Sequence, residues 1–329
     1  MRNIRVVFAV LSLSVVLVAG VADELQAQEK RQGWIKRLRY RRELRRELQG
    51  EIQLSGAFAL YPMAVKWEEF RKIHPKVRID ISAGGAGKGI TDALAKVVDL
   101  GMVSRDIYPQ ELEKGAFPIA VVKDAVVPTI NSNNPLIDQI LATGLKQQVA
   151  QDLWIHTTAR TWGDVLGTGS TIPVHVYTRS DACGAAETFA AWLGAKQEDL
   201  EGTAVFGDPG VTSVVQRDKV GIGFNNIAYA YDINSKKPYR HIAVIPLDLN
   251  GNGKIDPEED FYATSTELNA AIAEGKYPSP PARNLFLVSN GKPMKPEVLA
   301  FLEFILTPEV GYIGLSSDIL EEELFKLQE

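Results

Sequence analysis

Three segments of this chain share one design, in which a strand-like apolar run is followed by a turn of small residues and then by the start of a helix. The turns are residues 55–58, 84–89 and 180–185. Small residues in such turns allow the backbone to approach a neighbour or a ligand closely. Because strand and helix patterns alternate through most of the chain, the sequence predicts an α/β fold with mainly parallel strands.

The domain organisation is predicted from an unusually long apolar run at residues 119–130, which ends in a polar turn. We interpret this run as a strand that leaves one sheet and enters another. The predicted architecture is therefore a two-lobed α/β fold, each lobe being a mainly parallel sheet flanked by helices. Residues 51–128 and 241–329 are expected to form the first lobe, and residues 129–240 to form the second lobe as an insertion.

The N-terminal region is typical of an exported protein. Residues 1–27 read as a signal peptide, because Arg2 and Arg5 precede an uncharged apolar run. An uncleaved N-terminal anchor is the alternative. Residues 28–50 are rich in Lys and Arg and are interpreted as a basic helical linker, either a solvated spacer or a contact with a membrane surface through residues 29–49. We therefore expect a periplasmic or extracytoplasmic location.

Composition and net charge indicate a globular protein and argue against some classes of binding partner. The chain has 45% hydrophobic and 23% charged residues, as an ordinary globular protein does. Its formal net charge of −5 argues against a nucleic-acid partner, since such binding depends on basic surface. Cys183 is the single cysteine, so the exported protein has no internal disulfide. We expect a monomer.

Each of the three turns is also a candidate anion site. The first turn of a helix leaves about four backbone N–H groups unpaired and bears roughly half a positive charge, so it suits an anion. Arg105 and Arg179 lie beside such turns and offer full charges. Residues 84–89 also resemble a nucleotide P-loop, but Gly89 follows Lys88 where Ser or Thr would bind magnesium. One glycine-rich turn requires no ligand; the repetition favours an anion site.

Further motifs follow in order along the chain: Asp-Leu-Gly-Met-Val-Ser-Arg at 99–105, Trp-Gly-Asp at 162–164, Arg-Ser-Asp-Ala-Cys-Gly at 179–184 and Gly-Ile-Gly-Phe at 221–224. With the first two turns, this series resembles the periplasmic phosphate-binding proteins of bacterial phosphate ABC transporters, over about residues 50–325. The resemblance implies a type II solute-binding fold whose lobes close over phosphate or a related oxyanion. It also implies an ABC transporter permease as the partner.

The resemblance implies which positions contact the anion, and three of them depart from the family. Ala86, Cys183 and Ala185 stand where the family has hydroxyl side chains. A hydrogen bond to a charged group contributes about 1.5–3 kcal/mol, so either amides, arginines and Lys88 compensate or the ligand is not phosphate. Asp181 is expected to brace Arg179. The full set of expected ligand-binding residues is Ala57, Phe58, Ala86, Ser104, Arg105, Arg179, Asp181, Cys183, Gly184 and Ala185.

Two other functions stay open at this point. One is an enzyme that uses Cys183 as a nucleophile with His175 nearby. Against it, strand alternation favours an orientation of His175 away from the thiol, and the sequence has no serine elbow or zinc-binding histidine pair. The other is a surface-anchored oxyanion sensor or scaffold that has lost transport. At a helix start the Cys183 thiol would have a lowered pKa; as a buried small residue it would be inert.

Residues 248–259 match the EF-hand calcium loop position by position. Oxygen side chains fall at the first, third, fifth and ninth positions, a glycine follows at the sixth, and a glutamate closes the loop. The expected ligands are Asp248, Asn250, Asn252, Lys254 through its carbonyl, Asp256 and Glu259. We expect a structural Ca²⁺ in an isolated surface loop; a polar turn without metal is the alternative.

If the loop binds calcium, millimolar Ca²⁺ raises the melting temperature by mass action, and Glu259→Gln reduces that rise because the closing bidentate ligand is lost. A thermal melt with Ca²⁺ and with chelator measures both effects. A melting temperature that is the same with Ca²⁺ and with chelator contradicts the prediction.

Overall fold

The structure is a computed structural model that describes residues 48–307 and 317–328; the predicted signal peptide and most of the basic segment lie outside these ranges. The strands are β1 (Gln49–Gly56), β2 (Lys76–Ala83), β3 (Leu100–Val103), β4 (Ala116–Asn131), β5 (His175–Arg179), β6 (Thr203–Val205), β7 (Gly221–Asn226), β8 (Ile242–Val244) and β9 (Ala282–Asn290).

Twelve α-helices lie between and after these strands within the described ranges. They are α1 (Tyr61–Trp67), α2 (Ala86–Leu94), α3 (Pro109–Glu113), α4 (Ile137–Thr143), α5 (Gln147–Trp154), α6 (Trp162–Leu166), α7 (Gly184–Trp192), α8 (Gly207–Arg217), α9 (Ile227–Ala230), α10 (Ser265–Ala273), α11 (Pro296–Ile305) and α12 (Ser317–Gln328).

The strands form two parallel groups that are joined by antiparallel strands. The order is β2-β1-β3-β9-β4-β7-β5-β6, and β8 pairs with β4. Strand β1 is parallel to β2 and β3, and β5 is parallel to β6 and β7. Strand β9 is antiparallel to β3 and β4. The predicted fold class, a two-lobed α/β fold with mainly parallel sheets, is confirmed.

Strand β4 passes from the first lobe into the second. Its residues 116–125 pair with β9, whereas residues 126–131 pair with β7 and β8. Both faces are covered, so nearly every residue of the strand is buried. This explains why the sequence of the crossing strand is continuously apolar instead of alternating.

The chain returns to the first lobe later than residue 241, the boundary that the sequence suggested. Strand β8 pairs with residues 129–131, in the second-lobe half of β4. Phe261, Tyr262 and Leu268 belong to the same buried cluster as Trp154 and Phe224. Because these apolar side chains are buried against the second lobe, the segment up to about residue 281 packs there, and the return is made by β9.

Each lobe has an aromatic core. In the first lobe, Phe301 of α11 contacts Trp67 and Phe70 edge-on, with ring centroids 6.3 and 5.5 Å apart. In the second lobe, the Phe189 ring stacks on Phe224 at 4.4 Å. Burial of one such side chain stabilises the fold by about 1.5–3 kcal/mol. Because the sequence has a single cysteine, the fold is stabilised by these cores and the sheets and by no internal disulfide.

Glycines allow α2 to lie directly on the carboxyl ends of β1 and β3. A Cβ atom on Gly89 would lie 3.0 Å from Gly56 Cα and 3.0 Å from the Ser55 carbonyl oxygen, and it would also overlap the Met102 carbonyl. By contrast, a Cβ on Gly87, in the same helix, would meet no atom within 4 Å. The first lobe therefore places a helix start within direct contact of two strand ends.

We expect Gly89→Ala to destabilise the protein by about 1–3 kcal/mol, because backbone atoms that surround the new methyl group cannot move cheaply. The matched change Gly87→Ala should be neutral or stabilising by up to about 1 kcal/mol, since helical alanine restricts the unfolded chain. Urea denaturation measures the free energy of unfolding of both variants, and an unchanged m-value shows that the two can be compared directly. Equal stabilities for the two variants would contradict this account of the helix contact.

Candidate anion-binding site

The parallel strands of the two lobes direct their carboxyl ends toward each other. The side chain of Phe58, just after β1, meets the start of α8: a Cβ on Gly207 would lie 3.4 Å from the Phe58 ring. The hydroxyl of Tyr229, which follows β7, donates to the Phe58 carbonyl at 3.2 Å. Ligands of open α/β sheets bind in the crevice beyond the carboxyl ends of the strands, so this junction is the candidate site.

The three small-residue turns come together at this junction. A Cβ on Gly85, after β2, would lie 3.0 Å from the Ala182 carbonyl oxygen, in the turn after β5. A Cβ on Gly184 would lie 2.5 Å from Ser104 Oγ, just after β3. Side chains at these glycines would hold the lobes apart. Gly85 also has a φ of +92°, which favours glycine.

Two helix starts in these turns have no side-chain cap. Gly85, which has no side chain, precedes α2, and Cys183, whose side chain makes no capping hydrogen bond, precedes α7. First-turn N–H groups have no acceptor within their own helix. The first-turn amides of α2 and α7 therefore have no acceptor within their own helices and place partial positive charge at the junction.

The predicted contacts at Ala57 and Phe58 are placed differently. The Ala57 amide donates to the Met102 carbonyl at 2.8 Å, so in this conformation its hydrogen-bonding capacity is used within the first lobe. The Phe58 ring lies edge-on to Phe206 of the second lobe, with centroids 6.0 Å apart. Phe58 thus forms an aromatic contact across the junction.

Arg179 is the central cation of the site, and its side chain is fully buried. Its Nε and Nη2 donate to the Asp181 carboxylate at 2.9 and 2.7 Å, which is the brace that the family resemblance implies. Its Nη1 donates to Asp208 at 2.8 Å. Burial acts to lower the pKa of Arg179, but the charges of Asp208 and Asp181 outweigh it, so the pKa is raised and the guanidinium stays protonated.

A polar network that sequence reasoning missed extends from Arg179. Asp208 Oδ1 accepts from the backbone N–H and the side-chain Nδ2 of Asn226, at 3.0 and 2.9 Å. Arg283 in turn donates to the Asn226 side-chain oxygen, and its Nη2 lies 3.5 Å from Asp124. One signal was available, since Asp124 is an acidic residue inside the apolar run of the crossing strand.

Arg105 is less available than the sequence suggested. Its guanidinium forms two hydrogen bonds with Glu111, at 2.7 and 2.9 Å, and stacks 4.0 Å from the Tyr108 ring centroid. Burial opposes its charge, but Glu111 outweighs that effect and the pKa of Arg105 is raised. Glu187 of α7 lies 3.5 Å from Arg105 Nε and accepts from the Tyr108 hydroxyl at 2.5 Å. Arg105 therefore contacts carboxylates of both lobes, Glu111 in the first and Glu187 in the second.

Cys183 is a buried small residue with a protonated thiol. Burial raises its pKa to about 12, although the charge of Arg179 acts in the opposite direction. Of the two alternatives for Cys183, the geometry favours the buried small residue, because desolvation outweighs the helix start. His175 lies at the amino end of β5 and pairs with Asp218 at 2.7 Å. Thus no thiol–imidazole pair is formed.

In the EF-hand-like loop, the two terminal carboxylates are buried and accept backbone hydrogen bonds. Asp248 accepts from the amides of Gly251 and Gly253, both at 2.7 Å, and Glu259 accepts from Leu249 and Asn250. Across residues 48–307 and 317–328, no group of three or more His, Cys, Asp and Glu side chains is arranged to hold a metal ion. Calcium therefore stays a prediction.

Among the helices that the structure describes, none combines the length and apolar character needed to cross a bilayer.

The fold and the junction together define a two-lobed binding protein of the type II solute-binding class. The chain belongs to the PBP superfamily: the profile of the family described as a PBP superfamily domain matches residues 43–309. This family is one of binding proteins, and neither the thiol enzyme nor the sensor alternative is supported by the comparisons.

Curated relatives include the phosphate-binding protein PstS of Xylella fastidiosa (strain Temecula1), 28% identical over 204 residues, which are 54% of either chain. The chain thus spans about half the length of that relative. PstS of Pseudomonas aeruginosa PAO1 is 26% identical over 84% of this chain and 87% of its own. A solved structure described as a phosphate ABC transporter substrate-binding protein with bound phosphate, from Clostridium perfringens, has a TM-score of 0.65 at 22% identity, covering 83% of this chain and 98% of that one.

The burial of Cys183 predicts that a thiol reagent labels the native protein at least about 100-fold more slowly than the urea-unfolded protein at pH 8, since the thiolate is the reactive form. A DTNB time course in buffer and in urea measures the ratio. Rapid labelling of folded protein would contradict the assigned burial and raised pKa.

Proposed function

We propose that this chain is an extracytoplasmic solute-binding protein that captures phosphate or a related oxyanion between its lobes and delivers it to an ABC transporter permease. The observation on which the proposal mainly depends is that two uncapped helix starts meet beside one buried guanidinium. The helices are α2 and α7, and the guanidinium is that of Arg179.

The electrostatics of the junction favour an anion. The helix starts provide partial positive charge and N–H donors, and Arg179 provides a full charge that its pKa shift keeps protonated. Such donors gain strength in a buried site, where water does not compete. The same features give little reason for a cationic or purely apolar solute to bind there.

Phosphate is supported as the anion by the relatives, which are named phosphate-binding proteins. Three side chains of this chain differ from the hydroxyl donors that the family resemblance implies. The side chains of Ala86 and Ala185 are buried methyl groups without a donor, and the Cys183 thiol is a weak donor. An anion at this site is therefore held mainly by backbone amides and guanidinium groups. Arsenate or another tetrahedral oxyanion would satisfy the same donors.

We expect millimolar phosphate to raise the melting temperature by mass action. Arg179→Ala should remove that rise, because it deletes the buried charge and its donors. Since this change also leaves Asp181 and Asp208 without their cation, Arg179→Lys is the milder variant: it keeps the charge, loses the planar fork, and should weaken phosphate binding at least about tenfold.

The exposed Arg240 of the second lobe provides the matched control, and Arg240→Lys should bind phosphate as the wild type does. Titration calorimetry with phosphate, sulfate and molybdate identifies the anion. A shift with another oxyanion alone would reassign the ligand. If none of the anions binds the folded wild type, the proposed function is wrong.

A further inference from the structure

Arg283 lies at the same edge of the sheet as the three turns. It is the second residue of β9 and is paired in register with Asp124 of the crossing strand. Because β9 is antiparallel to β3, and Phe286 pairs with Val103, the amino end of β9 lies at the carboxyl end of β3. Arg283 therefore lies at the junction on β9, the strand between β3 and the crossing strand β4.

The hydrogen-bonding groups of this guanidinium are only partly used. Arg283 is 7% exposed, and its Nη2 donates to the Asn226 side chain. Among the residues that the structure describes, no group accepts a hydrogen bond from its Nε or its Nη1. Buried charged donors without an acceptor are unfavourable, so an acceptor that is neither side chain nor backbone of the described chain is expected there.

Asp124 does not supply that acceptor. Its closest oxygen lies 3.5 Å from Nη2 and makes no hydrogen bond. Burial raises the pKa of Asp124 to about 6, and the charge of Arg283 only partly offsets this. The pair is thus a loose ion pair, which leaves Arg283 with capacity for a second anionic partner.

Arg283 is also connected to the central cation of the site. Arg283 donates to Asn226, Asn226 donates to Asp208, and Asp208 accepts from Arg179. One amide and one carboxylate therefore hold two guanidinium groups in a single buried network. The network positions Arg283 beside the turn that contains Cys183, one of the positions without a hydroxyl.

We propose that Arg283 is a second cationic anchor for the bound oxyanion, donating through its unpaired N–H groups and so replacing donors that Ala86, Cys183 and Ala185 do not provide. This inference rests on the proposed function. Within the described part of the chain, Asp124 lies 3.5 Å from Arg283 Nη2, and the charges of Asp124 and Asp208 both act on the guanidinium. The arriving anion then competes with Asp124 for the guanidinium, and Asp124 weakens anion binding.

The test uses the full purified chain, inorganic phosphate as the probe, and titration calorimetry at fixed pH and ionic strength. Arg283→Lys should raise the Kd at least about tenfold, because a compact ammonium replaces directed guanidinium donors. Asp124→Asn should lower the Kd severalfold, because a competing negative charge is removed while the side-chain size is kept. Arg78→Lys, at an exposed arginine of β2, should leave the Kd unchanged.

The outcomes separate the two proposals. If the wild type binds phosphate, and Arg283→Lys has the same Kd and the same melting temperature as the wild type, the role of Arg283 is overturned and the proposed function stays intact. Wild-type protein that binds no oxyanion overturns both. If Arg283→Lys does not fold, Asp124→Asn decides: tighter binding supports the anchor, whereas unchanged or weaker binding shows that the Arg283–Asp124 pair is structural only.

Discussion

The buried charge of Arg179 is the constraint on which the second half of the site depends. An unpaired buried cation would be strongly unfavourable, so the chain surrounds it with Asp181 and Asp208, at 2.7 and 2.8 Å. Meeting that requirement brings the turn after β5 against the start of α8. The same arrangement fixes the direction of the guanidinium, so under the proposed function little side-chain entropy would be lost when an anion binds.

Contacts across the junction indicate how the lobes are held in the conformation described. Tyr108 and Arg105 of the first lobe reach Glu187 of the second, and the Phe58 ring meets Phe206. Phe206 remains 62% exposed, so this aromatic contact lies at the rim. Hinge opening would break these few contacts and leave the crossing strands intact. Such a small set of interlobe contacts is compatible with opening and closing around a solute.

The replacement of hydroxyl donors changes the kind of selectivity the site can have. Hydroxyl groups rotate to suit a ligand, whereas first-turn amides are fixed by their helix and guanidinium groups by their carboxylate partners. Under the proposed function, such a site would recognise negative charge and overall size more than the protonation state of one oxygen. The proposed role of Arg283 would make the polar network from Arg179 through Asp208 and Asn226 the source of the replacement donors.

The sequence by itself determined the alternation of strands and helices, the buried crossing strand and the three small-residue turns, because periodicity and backbone conformation depend on neighbouring residues. The family resemblance, and no local pattern, implied Asp181 as the brace of Arg179. Only the tertiary structure decided that residues 242–277 pack with the second lobe, that Glu111 accepts the hydrogen bonds of Arg105, and that Cys183 is desolvated. These depend on strand order and register, which bring distant residues such as Arg179 and Arg283 together and which no local pattern specifies.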